Sequence, residues 1–169
     1  FATLPFDPAA MVPVTVMATQ VNVLMVHPAR LPEVRSLADL IAQAKARPDK
    51  LNYGTTGNGG SHHLSTEWLK LAAGNLQITH VPYKGVAVLT GLLGGEVDLA
   101  FFTLGGALPH LKSGKLRPIA VGGEKRHASL PDVPTLSETL PGTVSASWFA
   151  MIAPAKTPRA LVERINALV

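Results

Sequence analysis

Apolar residues fall into short runs broken by glycine and proline, and their period switches repeatedly between two and nearly four. Residues 12–17 and 21–27 read as two strands, the second almost wholly aliphatic and therefore buried. Ser36-Leu-Ala-Asp39 opens a helix whose face is Leu37, Leu40, Ile41 and Ala44, and which stops before Pro48. A strand over 51–55 leads through glycines into a helix marked by Leu64, Trp68, Leu69, Leu71 and Ala72. Strands follow at 77–81, 97–102 and 116–121, with helical segments at 86–93, 107–112 and 136–139. Residues 147–153 form a last apolar strand, and Thr157-Pro158 starts a closing helix, threonine as N-cap and proline at the first position. Alternating strands and helices predict an α/β fold, its mixed, mostly parallel sheet covered by helices on both faces.

The stretch from Leu51 to Leu71 carries the clearest chemistry. Gly54, Gly57, Gly59 and Gly60 form a glycine-rich turn, and Ser61 stands where an N-cap would. A helix opening from such a turn directs unpaired N–H groups at one point, which suits an anion. Neither phosphate motif is complete. Gly54 to Gly59 has P-loop spacing, but Gly60 replaces the lysine; Gly57 and Gly59 begin a dinucleotide fingerprint, but His62 replaces its third glycine. A carboxylate fits a loop with Thr55, Thr56, Asn58 and Ser61 better, and a plain ligand-free turn is the competing explanation. In open sheets of this kind ligands lie beyond the carboxyl ends of the strands, where this loop falls.

Composition narrows the classes. The chain has 169 residues, 47% of them hydrophobic, enough for one or two small lobes with cores. Without cysteine there are no disulfides, thiolate metal sites or cysteine nucleophiles. The net charge of +4 is scattered in short groups and aromatics make up 5%, so nucleic-acid binding is not expected. No apolar run approaches the ~18 residues of a membrane span, so insertion is not expected either. His62 and His63 are adjacent and diverge on a helix, so no metal or other cofactor is expected. The enzyme alternative is a metal-assisted hydrolase using His63 with Glu67, or a serine hydrolase pairing Ser61 with His63; a G-x-S-x-G elbow is missing. An isolated α/β interaction module is the third possibility.

Three segments together carry a resemblance: residues 57–64 (GNGGSHHL), 80–85 (HVPYKG) and 93–98 (LGGEVD). With residues 108–117, 130–135, Trp148-Phe149 and Ala153-Pro154 in the same order, the chain resembles the solute-binding receptors of tripartite tricarboxylate transporters, also called Bug or TctC receptors. The resemblance implies a two-lobed, type II periplasmic binding protein that clasps a small mono- or dicarboxylic acid and delivers it to membrane subunits, and that is not an enzyme. It also implies a fragment, because members normally start about one lobe earlier and continue past the position of Val169. Residues 1–27 would then end the first lobe and supply a crossing strand, 28–146 would be a complete second lobe, and 147–169 would cross back. A cleft ligand shared by two lobes should bind one lobe weakly or not at all.

The resemblance places Thr55, Thr56, Gly57, Asn58, Gly59, Gly60, Ser61 and His62 at the cleft, with N–H groups and the Ser61 and Thr56 hydroxyls on one carboxylate. Tyr83 would offer a phenol, or else pack as an ordinary aromatic, and Lys84 a charge. Many relatives carry Phe-Asp-Asn where this chain has Phe101-Phe102-Thr103, so Phe102 and Thr103 would line a cleft suited to a more apolar ligand body.

Overall fold

One strand organises the sheet: β1 (Val12–Val26), 15 residues long. The expectation of separate strands at 12–17 and 21–27 is corrected here. Ala18-Thr19-Gln20 contains neither glycine nor proline, and nothing interrupts the extended backbone. The computed structural model describes residues 6–169. Pro5 and Pro8 predict an irregular start; Pro5 lies outside the described residues, while Pro8 opens a 3-10 turn, Pro8–Ala10, capped by Asp7.

The remaining elements follow in order as α1 (Leu37–Ala46), β2 (Asn52–Thr55), α2 (Ser61–Ala72), β3 (Thr79–Pro82), α3 (Ala87–Leu93), β4 (Leu99–Thr103), α4 (Leu104–Lys112), β5 (Arg117–Val121), α5 (Leu136–Thr139), β6 (Ala146–Ala153) and α6 (Arg159–Asn166). The sheet order is β3-β2-β4-β1-β5, with β6 also paired to β1. β2 is parallel to β3 and β4, whereas β1 runs antiparallel to β4 and β5, giving the mixed, mostly parallel open sheet expected.

Successive side chains of a strand point to opposite faces, and β1 and β4 serve two cores accordingly. Leu24, Val26, Leu99 and Phe101 pack with α1, Leu69 of α2 and Leu136 of α5. Val23, Met25, Ala100 and Phe102 pack with Val88 and Leu92 of α3 and with Leu104, Ala107 and Leu111 of α4. The capping box at α1 forms as read: Ser36 Oγ accepts from Asp39 N at 3.1 Å, and Asp39 Oδ2 accepts from Ser36 N at 2.9 Å. Thr135 and Glu138 make the same arrangement at α5.

Three helix expectations need correction. α4 begins at Leu104 rather than Ala107 because Gly105 and Gly106 are helical; a Cβ on Gly106 would lie 2.6 Å from the Phe102 ring, so glycine lets that ring lie against the helix. α6 starts one residue late, with Pro158 in the cap position and no capping bond from Thr157. In α2 the buried face is His62, Thr66 and Leu69, while Leu64, Trp68 and Leu71 are exposed. The Thr66 hydroxyl donates to His62 O at 2.9 Å, so a polar residue can face inward without an unpaired group.

The chain divides into two compact units. The larger is the continuous stretch from Gln20 to Ser147 and contains both cores just described. The smaller combines the stretch ending at Thr19 with that beginning at Trp148, and its core is Val14, Ala153 and Val162. Within it Asn166 Nδ2 donates to Val14 O at 2.7 Å.

Candidate functional site

The glycine-rich loop leaves the carboxyl end of β2, between two parallel neighbours, and closes into α2. Gly57 and Gly59 have φ of 142° and 73°, a region that L side chains rarely occupy, which is why the turn needs glycine. Ser61 is not the N-cap: that position is Gly60, extended at φ −73° and ψ 166°, and no side chain caps the helix. Among the described residues, the N–H groups of Ser61, His62 and His63 meet no protein acceptor, and the first helical bond is Leu64 N to Gly60 O at 3.0 Å. Unpaired amides at a helix start form an anion-binding arrangement.

Other loop groups are already engaged. The buried Thr55 Oγ1 accepts from Gly57 N at 3.3 Å, contacts Gly57 O at 3.2 Å and lies 2.7 Å from His80 Nε2. Gly59 N donates to His63 Nδ1 at 3.0 Å, which removes that amide from a ligand and requires His63 Nδ1 to be unprotonated. Thr56 Oγ1 lies 3.2 Å from His62 Nδ1. Asn58 is exposed.

His62 is buried and its ring stacks on Phe102, centroids 5.2 Å apart. Burial pushes its pKa down to about 4, so the imidazole is neutral at pH 7. Its Nε2 has no partner among the described residues. Thr103 follows Phe102 and pairs in register with Asn22 of β1. Phe102 is therefore joined to the loop through His62, and Thr103 to β1.

Tyr83 is tied to the loop by its backbone, Tyr83 N donating to Thr55 O at 3.0 Å, and Gly85 N donates to Thr56 O at 3.3 Å. Its side chain packs against Gly91, and the phenol donates to Glu96 Oε2 at 2.9 Å. Burial first and the Glu96 carboxylate second push that phenol's pKa up. Lys84 is exposed.

Two groupings were not visible in the sequence pattern. Asn22, Ser145 and Ser147 are buried polar residues at the α2 side of β1 and β6, and Ser147 Oγ lies 2.8 Å from Ser61 Oγ. An isolated asparagine inside the apolar run 21–26 was the available signal. Beneath the loop, His63 and His80 stack with centroids 4.1 Å apart, and His80 stacks in turn on Tyr53 at 4.9 Å. The Tyr53 hydroxyl donates to Glu67, which also binds Lys70 Nζ at 2.7 Å. Glu67 is thus occupied, and no group of three or more metal-ligating side chains is assembled among the described residues.

The model for the family described as "Tripartite tricarboxylate transporter family receptor" (TctC) matches residues 1–169. A Cupriavidus necator relative, "UPF0065 protein in gbd 5'region", is 40% identical over 143 residues, 84% of this chain and 43% of that protein. The solved structure "R. palustris Rpa4515 with adipate" superposes with a TM-score of 0.90 at 41% identity, covering 99% of this chain and 56% of the other. "MatC (Rpa3494) from Rhodopseudomonas palustris with bound malate" gives 0.85 at 27% identity, covering 93% and 53%. The chain spans about half the length of the curated relatives it matches.

Proposed function

Since the chain belongs to the tripartite tricarboxylate transporter receptor family, we propose that it is the ligand-holding part of a periplasmic solute receptor. In this reading the receptor captures a small mono- or dicarboxylic acid and hands it to the membrane subunits of its transporter, without chemical conversion. Residues 28–146 would form the second lobe. The observation that carries the reading is the set of unpaired amides at Ser61, His62 and His63, reached from the carboxyl end of a parallel strand. A carboxylate offers acceptors only, which is what such a turn satisfies. The relatives whose structures hold adipate and malate support this class of ligand.

Phe102 and the neutral His62 ring would give the ligand body an apolar wall. The test is the melting temperature of the full-length protein against a panel including adipate, succinate, malate and acetate. A saturable rise with at least one acid is expected, because ligand that binds only the folded state stabilises it. If the whole panel leaves the melting temperature unmoved, the receptor reading fails.

A further inference from the structure

Asn22 is fully buried within an apolar strand, and both ends of its side-chain amide are engaged. Nδ2 donates to Ser145 Oγ at 3.1 Å, and Oδ1 accepts from Ser147 Oγ at 3.0 Å. Ser145 Oγ in turn donates to Ser65 Oγ at 2.6 Å. The backbone holds this arrangement on the strand side: Asn22 N donates to Ser145 O at 3.2 Å and Gly122 N to Asn22 O at 2.7 Å.

An amide oxygen accepts and never donates, and a serine hydroxyl has a single proton. The Ser147 proton is taken by Asn22 Oδ1. The 2.8 Å contact between Ser61 and Ser147 must then be completed by the proton of Ser61. Donation runs one way, from Ser61 to Ser147 to Asn22 to Ser145 to Ser65, leaving α2 in its first turn and returning to it in its second.

We propose that Asn22 is a positioning residue that fixes the Ser61 hydroxyl as an acceptor. Ser61 then discriminates in favour of acids carrying a hydroxyl beside the carboxylate that the amides hold. This rests on the carboxylate-receptor reading and reassigns Ser61 within it: having no proton to offer, it contributes nothing to a bare carboxylate. Ser61 is partly exposed, unlike Asn22, Ser145 and Ser147 behind it. The adjacent His62 is 6% exposed, and its buried Nε2 is unpartnered among the described residues, a second unsatisfied polar atom in the same turn.

The experiment is calorimetric titration of the full-length protein with matched pairs, succinate against malate and adipate against 2-hydroxyadipate. The hydroxylated member of a pair should bind about three- to tenfold tighter, the worth of one hydrogen bond. Ser61→Ala should bring that ratio close to one. Ser147→Ala, which frees the Ser61 proton, should tighten the plain acid. Equal weakening of both members by Ser61→Ala would make Ser61 a carboxylate donor and overturn the assignment. A ligand-independent measurement decides the direction of donation: the Asn22 side-chain amide protons should show nuclear Overhauser contacts to the Ser145 β protons. Contacts to the Ser147 β protons in their place overturn the proposal whether or not any acid binds. If no acid in the panel binds, the receptor reading fails and takes the selectivity with it, while the amide measurement still reports which way the hydroxyls point.

Discussion

His62 is neutral at pH 7 because burial against Phe102 disfavours its charged form. Its folded pKa of about 4 lies below the ordinary 6.5, so between those values the unfolded chain binds a proton that the folded one refuses. Stability is unaffected above pH 6.5 and falls as the pH drops towards 4, by about 2 kcal/mol at pH 5 from the linkage relation. His80, also lowered chiefly by burial, acts with the same sign. Urea unfolding at a series of pH values should show this slope, and His62→Leu should flatten it; an undiminished slope in the variant would place the titration elsewhere. A second expectation concerns Gly91, where a Cβ would lie 2.5 Å from the Tyr83 hydroxyl oxygen. Gly91→Ala should displace the ring and break its bond to Glu96, a loss of about 1 kcal/mol that the better helix propensity of alanine partly offsets. In a Tyr83→Ala background the same change should cost much less, and equal costs in both backgrounds would rule out the clash as the cause.

At the scale of elements, β2 and β4 are fastened by a reciprocal bridge just before β4. Asp98 Oδ2 accepts from Asn52 N at 2.9 Å, Asn52 Oδ1 accepts from Asp98 N at 2.9 Å, and Asp98 Oδ1 takes Arg30 Nε at 2.9 Å. Asp98 is 3% exposed, so Asp98→Ala leaves the Asn52 amide without its side-chain partner and should cost about 2–4 kcal/mol in urea unfolding. Arg30→Ala should cost less, since its side chain is 48% exposed and its charge stays hydrated. A larger loss from Arg30 than from Asp98 would contradict this ranking. The elements themselves were largely legible. Ser36 with Asp39 announced α1, and the aliphatic run before His27 announced a buried strand, because caps and period are local properties. The inward face of α2 was not, since Leu64, Trp68 and Leu71 are more apolar than His62 and Thr66, and only tertiary partners decide which face turns in. In the candidate site the glycine turn was readable from spacing. Asn22 and Ser147 meet across 125 positions, a separation about which no local pattern carries information.

At the scale of the whole molecule, β1 to β5 form one ordered layer with the loop at the end of β2, and family membership supplies the class of protein to which that layer belongs. The larger unit is a single uninterrupted stretch, Gln20 to Ser147, whose two ends are held side by side by the Asn22 to Ser145 backbone bond. Topologically it is a ring with one gap, and a ring can be opened anywhere its surface allows. Joining Ser147 to Gln20 through a short glycine linker and starting the polypeptide after Gly114, an exposed turn residue, should give a permutant that melts cooperatively. If that permutant failed to melt cooperatively while an unpermuted 20–147 chain did, the native order of strand synthesis, not the meeting of the two ends, would be what this unit requires.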